Sequence, residues 1–175
     1  VLTVSKMNAG CEVLKKVDVN EVIKRIIPIF TEQYKTRKFV QKLNVNLPPA
    51  WIDEDKFQQI LTNLIDNAAK YSTEGKTVTI KTELAENFVE IKIIDEGVGI
   101  KQEDFDKVFK KFSRLENHLT STTQGNGLGL YITKQLVEGM GGKINFTSEL
   151  GKGTTFVVLM PVYNQEEVLR CSHKS

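Results

Sequence analysis

The sequence predicts an α/β (α+β) two-layer sandwich, in which about three helices cover one face of a mixed, mainly antiparallel sheet. Residues 53–71 repeat apolar side chains at helical spacing, whereas 77–84 and 88–94 alternate apolar and polar residues as strands do. The short gap between these two runs indicates a hairpin, and a second pair of strands surrounds the turn 149–153. Hairpins make antiparallel neighbours, and the apolar face of such a sheet needs a covering layer of helices.

The N-terminal part contains two predicted helical segments and one strand. Apolar residues at helical spacing in 1–14 predict the end of a helix whose beginning lies elsewhere. From Val19 to Phe30 they recur every three or four residues, which predicts a helix with Asn20 as its N-cap and a bend at Pro28. Alternation in 39–47, followed by two prolines, predicts a strand.

The remaining elements follow the amphipathic helix and the first hairpin. The pattern predicts a short helical stretch at 102–108, a mobile Ser- and Thr-rich loop at 113–124, a helix at 128–140 and strands at 143–148 and 154–161. We expect residues 17–162 to form one domain, preceded by a helix end and linker at 1–16 and followed by a polar tail at 163–175.

Composition excludes several classes of function. The 175 residues carry a net charge of only +2 with no block of Lys and Arg, so we expect no nucleic-acid partner. Cys11 and Cys171 offer neither a disulfide framework nor a metal-ligand set, which favours a reducing compartment. No apolar run approaches the roughly 18 residues that span a bilayer. We therefore expect this part to be cytoplasmic and to make no membrane contact, and the parent protein can still be anchored in the inner membrane.

One face of the helix at 53–71 is polar. Asn63, Asn67 and Lys70 follow at steps of four and three residues and share this face with Gln59. Carboxamide oxygens suit a hard cation such as Mg²⁺, and an ammonium suits a phosphate oxygen. The alternative is an ordinary solvated helix face.

A second candidate follows the apolar strand at 88–94. The carboxylate of Asp95 can accept a hydrogen bond from an exocyclic amine such as that of adenine, and Gly97 and Gly99 allow a flat ligand to approach the backbone. The alternative is a plain glycine turn between a strand and a helix.

Two further glycine-rich segments complete the candidates. Gly125, Gly127 and Gly129 precede a helix, whose first backbone amides can hold phosphate oxygens. Residues 151–156 form a turn whose hydroxyls can point into a pocket, and by itself this segment is better interpreted as a hairpin turn. Each candidate alone is weak evidence, and their order and spacing together are much stronger.

The joint pattern resembles the ATP-binding domain of sensor histidine kinases, a branch of the Bergerat-fold superfamily that also contains gyrase, Hsp90 and MutL ATPases. Residues 63–71 look like its N box, 95–100 like its G1 box, 109–112 like its F box and 125–130 like its G2 box. Residues 2–10 resemble the end of the second dimerisation helix. The resemblance runs from residue 1 to about residue 162.

The resemblance implies a site for ATP and Mg²⁺. Asn67, with help from Asn63, would hold Mg²⁺, and Lys70 and Arg114 would contact phosphates. Asp95 would read the adenine amine, assisted through water by Thr154. The other residues implied to contact the nucleotide are Tyr71, Gly97, Gly99, Ile100, Phe112, Gly125, Gly127, Leu128, Gly129, Leu130.

Residues 113–124 would be a lid over the nucleotide. Phe109 and Phe112 would anchor its start, and their alternative role is in the hydrophobic core.

The implied activity is transfer of the ATP γ-phosphoryl group to a histidine on dimerisation helices outside this chain. Neither His118, in the predicted lid, nor His173, in the tail, lies in such a helix, so the fragment is expected to bind ATP with little turnover. The implied partners are its own dimerisation helices and a response regulator, in a parent protein that forms a homodimer.

Three other functions compete with this interpretation. Hydrolytic relatives carry a water-activating Glu where this chain has Asn63, which cannot accept a proton at neutral pH. A protein-serine kinase of the anti-sigma type keeps the same boxes, and residues 2–10 argue against it. The third is a non-enzymatic module, either a nucleotide sensor or a degenerate pseudokinase. The motif positions carry residues competent for catalysis, so the sequence does not support a degenerate kinase.

Overall fold

The computed structural model describes residues 13–112 and 127–164. In chain order its elements are β1 (Lys15–Val17), α1 (Val19–Gln33), β2 (Lys38–Leu43), β3 (Ala50–Ile52), α2 (Glu54–Tyr71), β4 (Thr77–Ala85), β5 (Phe88–Asp95), a 3-10 helix (Gln102–Lys107), α3 (Gly129–Gly139), β6 (Lys143–Glu149) and β7 (Gly153–Pro161). The helix end predicted in 1–12, the predicted lid and the tail beyond residue 164 lie outside the described residues.

The main sheet has five strands in the order β2-β4-β5-β7-β6. β2 pairs with β4 in parallel, and the other three pairs are antiparallel. The buried side chains of β4, β5 and β7 alternate along each strand, as expected when one face is covered by helices. The predicted α/β sandwich with a mixed, mainly antiparallel sheet is therefore confirmed.

The helices form because each has one apolar face and a clear start. The α2 stripe of Phe57, Ile60, Leu61, Leu64, Ile65 and Ala68 is buried, as its spacing predicts. Asp53 caps this helix by accepting from the backbone N–H groups of Asp55 and Lys56. Within the described residues, no helix has the length and apolar character needed to cross a membrane.

The predicted N-cap of α1 is wrong. Asp18, two residues earlier, accepts from the backbone N–H groups of Asn20 and Glu21. Asn20 lies inside the helix and is 8% exposed. Its carboxamide donates to the Asn44 carbonyl and accepts from the Thr82 hydroxyl, so it ties α1 to the sheet. Aspartate and asparagine can both cap a helix, and here the tertiary contacts of Asn20 leave Asp18 as the cap.

The N-terminal strands also differ from the prediction. β2 ends at Leu43 instead of residue 47, because the Asn44 side chain accepts from the Asn46 N–H and turns the chain. The pattern did not predict β1 and β3, which pair antiparallel in a separate two-stranded sheet. Three-residue strands are too short to show a period.

This topology brings the end of β5 to the beginning of β7. Ile94 pairs with Thr155, so Asp95 lies beside Gly153 and Thr154 at one end of the sheet. The glycine turn after Asp95 continues toward the C-terminal end of α2. The candidate site is built around this corner.

Candidate functional site

Asp95 is a buried carboxyl group at the end of β5, only 6% exposed. Its Oδ1 accepts from the Gly97 N–H at 2.8 Å and from the Thr154 N–H at 3.2 Å. Burial raises the pKa of Asp95 from its usual 3.8 to about 6, against the opposing effect of these two hydrogen bonds. With Oδ1 engaged in both bonds, Oδ2 is the atom with full capacity to accept from a ligand.

The turn after Asp95 packs against the end of α2. The Tyr71 carbonyl accepts from the Val98 N–H at 3.3 Å, and Ser72 forms a bridge with Gly97. A Cβ at Gly97 would lie 2.3 Å from the Tyr71 carbonyl oxygen, so a side chain cannot fit there. Among the described residues, the Ser72 hydroxyl is the one buried side-chain oxygen without a hydrogen-bond partner. The C-terminal end of α2 and the turn after Asp95 therefore lie at the same corner of the fold.

Asn63 connects α2 to the beginning of α3. Its Nδ2 donates to the Thr133 hydroxyl at 2.7 Å, which orients its Oδ1 toward the first turn of α3. A Cβ at Gly129 would lie 2.5 Å from this oxygen. Asn67 lies one turn further along the same face of α2, and both carboxamides are half-buried.

Lys70 is engaged within the protein. Its Nζ lies 2.5 Å from Asp66 Oδ2, and the Tyr34 hydroxyl donates to Asp66 Oδ1 at 2.6 Å. Burial and the bond to Asp66 raise the pKa of Tyr34. Sequence reasoning assigned no role to Asp66 or Tyr34. A phosphate contact by Lys70 requires the ammonium to share or leave Asp66, and this contact stays a prediction.

The beginning of α3 is suited to an anion. Leu128 occupies the N-cap position and makes no side-chain capping hydrogen bond, so the first amides of the helix lack that partner. Gly127 precedes it with a φ of 65°. Leu128 and Leu130 are half-buried, and Leu130 packs against the core. Gly125 and Arg114 lie outside the described residues, so their predicted phosphate contacts are not described.

The two phenylalanines of the predicted F box have different environments. Phe109 makes edge contacts with Phe146 and Phe156, at ring-centroid distances of 5.8 and 6.3 Å, so it belongs to the core. Phe112 is 73% exposed and has a φ of 58°. Its predicted contact with a nucleotide stays a prediction.

Close backbone packing requires glycine at two positions of the turn after Asp95, Gly97 and Gly99. A Cβ at Gly99 would lie 2.1 Å from the carbonyl oxygen of Glu149, the last residue of β6. Gly97 and Gly99 were predicted to admit a ligand ring, and close packing of the backbone already explains both glycines. Ile100 and Tyr71, also predicted to contact the ligand, are half-buried beside this turn.

Sequence reasoning missed Ser148. Its hydroxyl accepts from the Ile100 N–H at 2.8 Å, donates to the Gly153 carbonyl at 3.0 Å and lies 2.9 Å from the Thr154 hydroxyl. Ile144 and Phe146 are the preceding residues of β6 on the same side of the strand. The sequence did contain a signal for Ser148. It is a polar residue at the end of an alternating series of inward-facing residues, next to a glycine-rich turn. Ile100 and Ser148 also line a cleft of about 580 Å³.

Together these groups can bind a polar, anionic and partly flat ligand. Asp95 offers a buried acceptor, the beginning of α3 offers backbone donors, and Asn63 and Asn67 offer oxygens for a hard cation. No described group of three or more His, Cys, Asp and Glu residues could hold a metal ion, so a cation here would depend on carboxamide and ligand oxygens.

Comparisons with known proteins agree with this description. The family model described as "Histidine kinase-, DNA gyrase B-, and HSP90-like ATPase" matches residues 52–164. The chain is 33% identical over 159 residues to the signal transduction histidine-protein kinase ArlS of Staphylococcus haemolyticus, covering 91% of this chain and 35% of that protein. It is 35% identical over 169 residues to the sensor protein SrrB of Staphylococcus aureus, covering 92% of this chain and 28% of that protein.

A solved structure has the same fold. The mycobacterial sensor histidine kinase MprB matches with a TM-score of 0.73 at 27% identity, over 87% of this chain and 100% of that one. The chain spans about a third of the length of the curated relatives it matches.

Proposed function

Since this chain belongs to the family of histidine kinase-, DNA gyrase B- and HSP90-like ATPases, we propose that it is the catalytic domain of a sensor histidine kinase. Domains of this family bind ATP. The proposed reaction transfers the γ-phosphoryl group of ATP to a histidine on dimerisation helices outside the chain. The proposed partners are these helices and a response regulator, in a homodimeric parent protein. We further propose a cytoplasmic location for the domain, in a parent that can be anchored in the inner membrane.

One observation carries this proposal. The polar face of α2, the Asp95 turn and the beginning of α3 meet at one corner, although they are far apart in sequence. The first two segments are joined by the hydrogen bond from the Val98 N–H to the Tyr71 carbonyl and by the bridge between Ser72 and Gly97. Asn63 contacts Thr133 of α3. A nucleotide has a base, phosphates and a bound cation, and three adjacent polar segments match these three parts.

The proposed roles follow from the chemistry of each group. Asp95 Oδ2 accepts a hydrogen bond from the adenine amine. The first amides of α3, together with Lys70 and Arg114, bind phosphate oxygens. Asn67 and Asn63 fit Mg²⁺ because they present neutral oxygens beside a phosphate site. When bound, the ion would neutralise phosphate charge. Catalysis would then consist mostly of positioning and charge neutralisation.

Asn63 favours phosphotransfer over hydrolysis. Hydrolysis of the kind seen in gyrase-like relatives needs a base that removes a proton from water. A carboxamide is not basic at neutral pH, and the Asn63 Nδ2 already donates to Thr133. Water is therefore not activated at this position, and the phosphoryl group is retained for an acceptor histidine.

The proposal is tested by phosphotransfer. The chain, labelled ATP and Mg²⁺ are mixed with the dimerisation helices of the parent protein, supplied as a separate polypeptide. We expect an acid-labile phosphohistidine on the helices. Asn67→Ala should lower the rate by about 100-fold, because loss of a cation ligand typically costs a few kcal/mol of transition-state stabilisation.

Asn145→Ala is the matched control. This asparagine is exposed on β6, and its variant should keep the wild-type rate. Acid-stable label on serine would instead identify a protein-serine kinase. Release of free phosphate without an acceptor would identify a hydrolase. Either result contradicts the proposal.

A further inference from the structure

Two successive polar contacts join the end of α1 to Lys70 of α2. The Tyr34 hydroxyl donates to Asp66 Oδ1 at 2.6 Å, and Lys70 Nζ lies 2.5 Å from Asp66 Oδ2. Each oxygen of the Asp66 carboxylate thus has one of the two partners. Asp66 and Lys70 are four residues apart on α2 with the acid first, which is the favourable order for an ion pair on a helix.

Tyr34 has a fixed position between the two helices. It is the C-cap residue of α1, its backbone N–H donates to the Phe30 carbonyl at 2.8 Å, and its ring packs against the hydrophobic core. The Arg37 Nε donates to the Ala69 carbonyl at 3.2 Å, which ties the segment after α1 to the end of α2. The Tyr34 hydroxyl therefore holds Asp66 from an element outside α2.

These contacts border the proposed phosphate site. Lys70 follows Asn67 by three residues on the polar face of α2, and the next residue, Tyr71, accepts from the turn after Asp95. The side chains of Lys70 and Asp66 are 32% and 24% exposed, so their contact is less solvated than that of a fully exposed pair. A change in how Asp66 holds the ammonium should therefore be measurable at the site.

The division of the Asp66 oxygens determines how the ammonium is held. An ammonium has three N–H donors, and the contact with Oδ2 uses one of them. Without the Tyr34 hydroxyl, both carboxylate oxygens would be open to Lys70, and Asp66 would lose the partner that fixes its direction. The ammonium would then be held more tightly by Asp66 or would move with it. Either change weakens a contact between Lys70 and a phosphate.

We infer that Tyr34 is a positioning residue for phosphate binding, which acts through Asp66 on the Lys70 ammonium. This role rests on the proposed function, since it takes Lys70 to contact phosphate oxygens. The alternative is a purely structural contact that joins α1 to α2. The two roles differ because only the positioning role depends on the phosphates of the ligand and on the ammonium of Lys70.

The test compares ATP with adenosine, which has the same base and sugar and no phosphate. Tyr34→Phe removes the hydroxyl and keeps the ring in the core, so the variant should fold. We expect its affinity for ATP with Mg²⁺ to fall by about 3–10-fold, because a charge-assisted hydrogen bond is lost and its effect reaches the ligand through a second contact. Its affinity for adenosine should stay within about twofold of wild type. NMR titration measures both dissociation constants.

Tyr163→Phe is the matched control. Tyr163 lies beyond the end of β7 that is opposite to Thr154, so loss of its hydroxyl should change neither affinity. Equal losses of affinity for ATP and adenosine in Tyr34→Phe would overturn the inference, because general loosening of the fold would explain them. Unchanged ATP affinity would also overturn it. Tighter ATP binding would contradict it too, since Asp66 would then withhold Lys70 from the phosphates.

A double-mutant cycle tests whether Tyr34 acts through Lys70. Lys70→Met removes the ammonium, keeps a side chain of similar length and should itself lower the affinity for ATP. In this background no ammonium remains to be positioned, so Tyr34→Phe should leave ATP affinity unchanged. A fall as large as in the wild-type background would show that Tyr34 acts by another route, and the inference would be wrong.

Two results separate failure of this role from failure of the proposed function. If the wild-type chain did not bind ATP, the proposed function itself would be contradicted. If wild type bound ATP and Lys70→Met bound it equally well, Lys70 would have no phosphate contact. The positioning role of Tyr34 would then be contradicted, while the proposed nucleotide site would stand.

Discussion

The buried Asp95 carboxylate, which is proposed to accept a hydrogen bond from the base, lowers the stability of the folded protein when it is ionised. Its folded pKa of about 6 lies above the usual 3.8, so the folded protein binds more protons than the unfolded chain between these values. The free energy of unfolding therefore decreases as pH rises through this window, and the ionised group is destabilising above it. A buried carboxyl group with a strongly raised pKa is a common feature of binding sites.

Replacing Asp95 should separate these two effects. Asp95→Asn should raise the free energy of unfolding of the ligand-free protein at pH 8 by about 2–3 kcal/mol, and flatten its pH dependence between roughly 4 and 6. Its oxygen will accept from Gly97 and Thr154, which leaves its NH₂ group facing the adenine amine. ATP affinity should therefore fall by about 10–100-fold.

Thermal unfolding and ATP titration over a pH series check this prediction. Wild type and Asp95→Asn are compared at each pH, so that protonation of the phosphates cancels. For wild type, affinity relative to the variant should fall as pH drops through about 6. If Asp95→Asn bound ATP with unchanged affinity, the proposed hydrogen bond between Asp95 and the adenine amine would be contradicted.

At the scale of elements, the contact between α2 and α3 determines where the Asn63 carboxamide points. The contact requires Gly129, because a Cβ there would overlap the Asn63 oxygen. The overlapped atom is the end of a side chain, so the chain can relieve the clash by rotating Asn63. The fold should tolerate this change better than the site does.

Gly129→Ala should consequently affect binding more than stability. We expect affinity for ATP in the presence of Mg²⁺ to fall by about 10-fold or more, which corresponds to the loss of roughly 1.4 kcal/mol. The free energy of unfolding should change by less than about 1 kcal/mol, because alanine is a better helix former than glycine. Gln135→Ala, at an exposed position of α3, should change neither quantity.

Isothermal titration and chemical denaturation measure the two quantities. If Gly129→Ala bound ATP with wild-type affinity, the orientation of Asn63 by α3 would have no role in binding. If the variant lost much stability while its folded molecules bound ATP with wild-type affinity, Gly129 would have a role in packing alone.

At the scale of the whole molecule, the sheet separates the site from the region where both ends of the described chain meet. β7 has nine residues and is therefore about 30 Å long, with Thr154 at one end. Beyond its other end the Tyr163 ring packs against Trp51 in a tilted arrangement with a centroid distance of 5.3 Å, and the Lys16 ammonium lies 5.2 Å from the centroid of the Tyr163 ring. This cluster joins β1, β3 and the end of β7.

Tyr163→Ala should destabilise the fold and leave the site intact. Loss of the aromatic pair and the cation–π contact should lower the free energy of unfolding by about 1–3 kcal/mol. ATP affinity should stay within about twofold of wild type, because the cluster is distant from Asp95. Thermal unfolding and ATP titration of the same sample test this, and a large loss of affinity in the folded variant would show that the two ends of the sheet are coupled.

The sequence by itself determined the architecture and the positions of the polar segments. Period-2 alternation in β4 and β5 and the apolar stripe of α2 are local patterns, set by side-chain direction along one element. Asn63, Asn67 and Asp95 could be singled out because an amphipathic face and the end of a strand are readable without the fold. The boundaries at residues 16 and 162 and the ligand contacts of the site residues stay predictions.

Tertiary structure alone decided the remaining features. Four features join residues from different elements. They are the contacts of Asn20 with Asn44 and Thr82, the pairing of β1 with β3, the contacts of Asp66 with Lys70 and Tyr34, and the contacts of Ser148 with Ile100 and Thr154. Hydrogen bonds and close packing depend on distances of a few ångströms between such residues. No local period encodes these distances, because they exist only after the helices have packed on the sheet.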